Sequence, residues 1–95
     1  MRIISERVLR EFGEKYSDTV ASLDNWKRIV RQAKWASGAD VKMTFSNSDL
    51  VGEKTVFNIS LNRYRLIAFI SFRSQIVYVK TILTHKQYEQ GNWKK

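Results

Sequence analysis

"TVFNISLNRYRLIAFISFRSQIVYVKTIL", residues 55–83, decides the fold. It holds three runs rich in β-branched and aromatic residues, TVFNI, YRLIAFISF and QIVYVKTIL, separated only by SLNR and RS. Such side chains suit a pleated, half-buried surface, and connections this short join antiparallel neighbours, so the stretch predicts a meander. With Leu61 and Asn62 as a two-residue turn, Ile59 pairs with Tyr64, Asn58 with Arg65 and Phe57 with Leu66. Alternation then sends Asn58 and Arg65 to one face and Phe57, Ile59, Tyr64, Leu66 and Ala68 to the other.

The segment before it has the helical period instead. Arg2 to Ile4 can form a short strand, and a first helix is expected from about Ser5 as cap, with Val8, Leu9 and Phe12 as its apolar stripe. Asp18 is the expected cap of a second helix, in which Leu23, Trp26, Val30 and Ala33 recur on one buried face. Lys27, Arg31 and Lys34 form a basic stripe beside that face, read as a solvated flank. Gly38 is expected to end this helix, and ADVKMTF to add a further turn or two. Helices first and strands second predict an α+β fold, the helices packed on one face of a small, mainly antiparallel sheet and the other face left available. Its 95 residues suit one domain spanning 1–95.

Charge points to the ligand. Residues 1–53 carry nine Lys/Arg and eight Asp/Glu, whereas residues 54–95 carry eight Lys/Arg and one acid, Glu89. Excess positive charge interleaved with aromatics favours a polyanion, with RNA or DNA ahead of a membrane. The opening MRIISERVLREFGEKYSD lacks the apolar core of a signal peptide, and no stretch is long enough to span a bilayer. Together with the absence of Cys, this predicts a soluble cytoplasmic protein. A surface that docks an acidic protein is the competing reading of the same charge.

The chemistry that remains is narrow. Without Cys, and with only Glu89 and His85 in the strand-rich half, carboxylate or zinc metal sites lack ligands there, so no metal or cofactor is expected. Neither G-x-S-x-G nor a G-x-x-x-x-G-K phosphate loop is present. Metal-free RNA cleavage needs less, because the substrate brings its own nucleophile, the ribose 2′-hydroxyl. The protein must accept a proton, meet negative charge developing on phosphorus, and protonate the departing 5′-oxygen. Imidazole titrates near neutrality, which suits His85 to either proton transfer. Arg65 can meet the phosphorane with planar paired donors. Tyr88 can stack on a base or orient His85 and the phosphate. Asn58, Arg63, Arg73, Lys80 and Lys86 are the candidates for other RNA contacts. A non-catalytic RNA- or ribosome-binding module would use the same face.

The segments WKRIVRQAKWASGADVKMTF, VFNISLNRYRLIAFISF and QIVYVKTILTHKQYEQ, with the opening MRIISERVLREF, resemble HigB-type toxins of type II toxin-antitoxin systems, a branch of the RelE-like superfamily. FNI followed by NRYRL, and THKQY matching a T-H-x-x-Y pattern, are the most distinctive elements. The resemblance implies a RelE-like fold and an mRNA interferase, in many relatives acting on translating ribosomes. It implies a HigA-type helix-turn-helix antitoxin, with operator DNA bound only through the toxin-antitoxin complex. By position, Arg65 matches the superfamily's strand arginine, His85 its cationic or imidazole residue after the last strand, and Tyr88 its terminal aromatic. Two departures stand out. Asn58 and Lys54 stand where some RelE-like enzymes have paired lysines, which leaves the general base open, and Leu83 replaces a Gly frequent before the T-H pair.

Overall fold

Ile59 pairs with Tyr64, Asn58 with Arg65 and Phe57 with Leu66 in the computed structural model, which describes residues 1–94. The register of the deciding hairpin is the expected one. It joins β3 (Lys54–Ile59) to β4 (Tyr64–Ser71) through a turn in which Ser60, Leu61 and Asn62 have φ of 52°, 54° and 72°. A turn between right-twisted strands needs positive φ, and here it is taken without glycine, with Leu61 97% exposed.

The meander sits inside a larger sheet than the three runs predict. Its order is β1-β5-β4-β3-β2, with β1 (Arg2–Ile4) parallel to β5 (Ile76–Thr84) and the remaining pairs antiparallel. The strand β2 (Asp49–Val51) escapes a sequence reading because three residues cannot display an alternation. No helix among the described residues is long and apolar enough to cross a membrane.

The helical half departs from expectation at three places. The helix α1 (Glu6–Lys15) follows Ser5, but Ser5 adopts φ 73° and its side chain makes no cap. Asp18 does not cap the second helix: it lies in a 3-10 turn, Ser17–Thr19, and α2 (Val20–Gln32) begins after it. Its carboxylate is taken by stronger long-range partners, the Tyr64 hydroxyl, which donates at 3.1 Å, and the Arg63 guanidinium at 3.5 Å. Burial first, and the hydrogen bond to Asp18 second, hold the Tyr64 phenol above its ordinary value. Gly38 opens a helix rather than ending one. The helix α2 stops at Gln32, Ala33 turns extended with ψ 148°, and Gly38 begins α3 (Gly38–Thr44). The Met1 ammonium explains the early stop, because it donates to the carbonyls of Ala33 at 2.6 Å and Arg31 at 3.4 Å. Of the basic stripe, Arg31 and Lys27 pair with Glu6 at 2.6 Å and 4.0 Å, and Arg31 and Lys34 are exposed.

The helices bury one face of the sheet. Leu9, Leu23, Trp26, Val30 and Trp35 close on Phe57, Ile59, Leu66, Ala68, Val77 and Val79. Phe57 is the hub, with ring centroids 5.4 Å from Trp26, 5.2 Å from Phe45 and 6.4 Å from Trp35.

One irregularity positions everything at the other end of β5. Ile67 faces Thr81 while Ala68 faces Val79, so Lys80 is an extra residue bulged out of the ladder. The inward residues therefore run Val77, Val79, Ile82, and Leu83 falls opposite Arg65 on the outward face. Without the bulge, alternation would turn Thr81 and Leu83 inward.

The outward face is not wholly open. After β5 the chain forms α4 (His85–Gln90) and a second 3-10 turn, Asn92–Lys94, and α4 packs against β4 and β5. Val56 and Ile67, cross-strand partners on this side, are each 1% exposed. The face thus has its own apolar centre, and the segment after β5 partly covers it.

Candidate active site

Arg65 lies on the outward face near the β3–β4 turn, paired with Asn58 on one side and Leu83 on the other. Its Nη1 donates to the carbonyls of Asn62 at 2.6 Å and Tyr64 at 3.3 Å, which folds the guanidinium back against the β3–β4 turn. From there Nη2 lies 3.3 Å from His85 Nδ1, and the ζ carbon sits over the Tyr88 ring, 5.3 Å from its centroid. A planar cation over an aromatic face is favourable and preserves the paired donor edge.

His85 is fixed from its backbone outward. Thr84 caps α4 through a capping box: its hydroxyl accepts from the Gln87 amide at 3.2 Å, and the Gln87 side chain accepts from the Thr84 amide at 3.0 Å. The His85 amide itself donates to the Arg63 carbonyl at 3.0 Å, closing the helix start against the meander. Leu83 does this without a positive φ, so the geometry needs no glycine before the T-H pair. One turn on, Glu89 Oε1 lies 2.8 Å from His85 Nε2. Arginine only donates and a carboxylate only accepts, so the neutral ring carries its proton on Nε2, toward Glu89, and presents the Nδ1 lone pair to Arg65. Replacing Thr84 with Ala removes the cap and is expected to cost about 1 kcal/mol of stability. Thermal denaturation of Thr84→Ala checks that loss.

The ring of Tyr88 is doubly engaged. Besides Arg65, the Trp93 indole stacks on it at 5.0 Å and 15°, and Trp93 Nε1 donates to the Tyr88 carbonyl at 3.0 Å. Lys54, the first residue of β3, donates to the Trp93 carbonyl at 2.9 Å and ties this turn to the sheet. Gly91, with φ 76°, provides the left-handed residue at which α4 ends and the chain doubles back.

Other candidates are dispersed. Asn58 lies across from Arg65 in register, but its amide donates to the Asn47 carbonyl at 3.1 Å. The Arg63 guanidinium is drawn to Asp18. Lys80 projects from the bulge, with its ammonium 5.8 Å from the Tyr78 ring centroid, and Lys86 is exposed on the first turn of α4. Arg73 falls in the β4–β5 turn, at the opposite end of β4 from Arg65. Lys54, named from the sequence beside Asn58, joins the cluster through Trp93, and two of its residues were not among the sequence candidates: Glu89 and Trp93. Glu89 had a signal, its i+4 spacing from His85 on a short helix; Trp93 had none, because its approach depends on the reversal at Gly91.

Among the described residues no three His, Asp or Glu side chains gather to hold a metal ion. What the cluster offers is a planar cation, an imidazole with a directed lone pair, and stacked aromatic rings on one open face.

Comparison with known proteins gives the chain a lineage. The chain is 26% identical to the mRNA interferase toxin HigB of Escherichia coli strain K12 over 92 residues, covering 94% of this chain and 88% of the relative. The mRNA interferase HigB of Shigella flexneri matches to the same extent. That of Escherichia coli O6:H1 is 26% identical over 93 residues, with 95% and 90% covered. A family model matches residues 19–91, which include the whole meander together with His85 and Tyr88. The chain belongs to the HigB toxins, the RelE-like toxic component of a toxin-antitoxin system.

Proposed function

We propose that this protein is an mRNA endoribonuclease that works without a metal, with Arg65 and His85 as its catalytic residues and Tyr88 as the residue that positions Arg65. The observation that carries the reading is the 3.3 Å approach of Arg65 Nη2 to His85 Nδ1 on an outward, cation-rich face. The names of the relatives support the same substrate.

The chemistry follows from the two partners of His85. A scissile phosphate binds the donor edge of Arg65 and draws the guanidinium off Nδ1, which frees the lone pair beside the 2′-hydroxyl. Nδ1 takes that proton as the 2′-oxygen attacks phosphorus, and Glu89 stabilises the imidazolium through Nε2–H. Arg65 meets the charge on the phosphorane. The bond from phosphorus to the 5′-oxygen breaks, the leaving oxygen takes a proton from solvent, and the products are a 2′,3′-cyclic phosphate and a 5′-hydroxyl. Tyr88 holds the guanidinium in plane. Of the remaining sequence candidates, Lys86 is the best placed to meet a flanking phosphate, with Asn58 and Lys80 further along the same side and Arg63 and Arg73 outside the cluster.

In the cell the substrate is mRNA, in the cytoplasm and on the ribosome, and a HigA-type helix-turn-helix antitoxin holds the toxin inactive and carries the complex to operator DNA. The test is cleavage of mRNA on programmed ribosomes with chelator present. His85→Gln is expected to lower kcat by about 10²–10⁴-fold, the usual weight of a positioned proton acceptor. Undiminished cleavage by the folded variant would remove His85 from the mechanism. RNA binding with no cleavage in any translational context would support a non-catalytic module instead.

A further inference from the structure

Beside the cluster, and sharing Lys54 and Trp93 with it, is a cleft of about 250 Å³ lined by Val51, Gly52, Glu53, Lys54, Trp93 and Lys94. We propose that this cleft is a nucleobase subsite, taking one unpaired base of the RNA against the Trp93 indole. The inference extends the endoribonuclease reading by naming where a neighbouring nucleotide is held.

Four observations carry it. The Tyr88 ring is already engaged by the Arg65 guanidinium at 5.3 Å and the Trp93 indole at 5.0 Å. With both of these partners on the Tyr88 ring, the aromatic surface offered to an incoming base is that of Trp93, over which the exposed Lys94 ammonium lies 5.7 Å from the centroid and moves aside when a base stacks. The indole is also held rigidly: its Nε1 donates to the Tyr88 carbonyl at 3.0 Å, and its own carbonyl accepts from Lys54 at 2.9 Å. A stacking platform that is ordered in advance loses little entropy when a base arrives. The walls have the right chemistry, because the two cations, Lys54 and Lys94, flank an aromatic floor, the combination that binds single strands by stacking and backbone attraction together. Finally, the volume suits one planar ring system and falls below that of sites for larger ligands.

Position adds a constraint. Tyr88 contacts both Arg65 and Trp93, so the base in the cleft belongs to a nucleotide close to the one whose phosphate meets Arg65. Glu53 is the one acid on the lining. A carboxylate only accepts, and the base edge that offers adjacent N–H donors is the Watson–Crick edge of guanine. The subsite therefore favours guanine over the other three bases.

The test separates binding from cleavage by using a short single-stranded RNA whose riboses are all 2′-O-methylated, which leaves no nucleophile. Trp26 and Trp35 are 2% and 3% exposed, so quenching of tryptophan emission by the oligonucleotide reports on Trp93. Trp93→Leu is expected to weaken binding, measured by fluorescence anisotropy of a labelled strand, about tenfold, in the range of one lost base stack. Trp93→Phe should retain most of the affinity. An abasic residue placed in turn at each position should erase the difference between wild type and Trp93→Leu at one position only, and Glu53→Gln should flatten the preference for guanine there. Equal binding by wild type and Trp93→Leu, or no quenching on binding, overturns the subsite. The endoribonuclease reading is judged separately, on unmodified mRNA: dependence on His85 and Arg65 with indifference to Trp93 removes the cleft alone. Loss of binding in Trp93→Leu beside undiminished cleavage by His85→Gln leaves the cleft and removes the mechanism.

Discussion

Arg65→Ala is expected to lower the single-turnover rate of mRNA cleavage by about 10²–10³-fold, the cost of removing one preorganised donor to a transition-state charge. The guanidinium contributes twice in this site. It offers donors to the phosphorane, and until substrate arrives it holds the His85 lone pair at 3.3 Å, so its loss also leaves the imidazole without its orienting partner. Lys at the same position keeps the charge but not the planar edge that lies over Tyr88, and should recover only part of the rate. Folding should survive either change. Of the contacts Arg65 makes within the chain, those to the Asn62 carbonyl and to His85 lie at the exposed surface, where water can replace them, and only the one to the Tyr64 carbonyl is partly buried. Rapid-quench kinetics at saturating programmed ribosomes, with circular dichroism as the folding control, check both outcomes.

The largest loss of stability is expected at Phe57. Its ring is 1% exposed and packs against Trp26 of α2, Trp35 between α2 and α3, and Phe45 just after α3. Phe57→Ala leaves a cavity that three rings on separate elements cannot jointly close, and should cost about 3–5 kcal/mol. In a domain of this size each kcal/mol moves the midpoint by about 4–8 °C, so the variant should melt well over 10 °C below wild type or fail to fold. Val56→Ala, one residue along, removes less and on the outward face, with an expected cost of about 1–3 kcal/mol. Urea titration of the pair distinguishes the two cores. Similar midpoints for both variants would contradict the assignment of Phe57 as the hub.

Much of this was legible in the residues. The pairing of Asn58 with Arg65 follows from a turn whose length is set by where the apolar alternation stops and restarts, and it alone puts the arginine on the outward face. His85 and Tyr88 could be placed because THKQY follows the last strand directly. What stayed hidden depends on long-range geometry. Asp18 has the residue type of a cap, yet the Tyr64 hydroxyl and Arg63 claim its carboxylate from across the fold. Gly38 looks like a helix stop, but Met1 ends α2 six residues earlier by reaching the carbonyls of Arg31 and Ala33. The bulge at Lys80 adds one residue to a strand with no glycine to announce it, and without it His85 would not begin beside Arg65. Trp93 reaches Tyr88 only because Gly91 reverses the chain, a contact between neighbours in space that no periodicity encodes.

In the proposed reaction Arg65 and His85 act on a phosphate attacked by its own ribose. The most direct measurement is the chemistry of the cut ends on an mRNA cleaved in chelator, beside the same mRNA carrying one 2′-deoxyribose at the cleaved nucleotide. A 2′,3′-cyclic phosphate and a 5′-hydroxyl are expected on the first strand, and no cut at that nucleotide on the second. Ends bearing a 3′-hydroxyl and a 5′-phosphate, or equal cleavage of the deoxy-substituted strand, would contradict it.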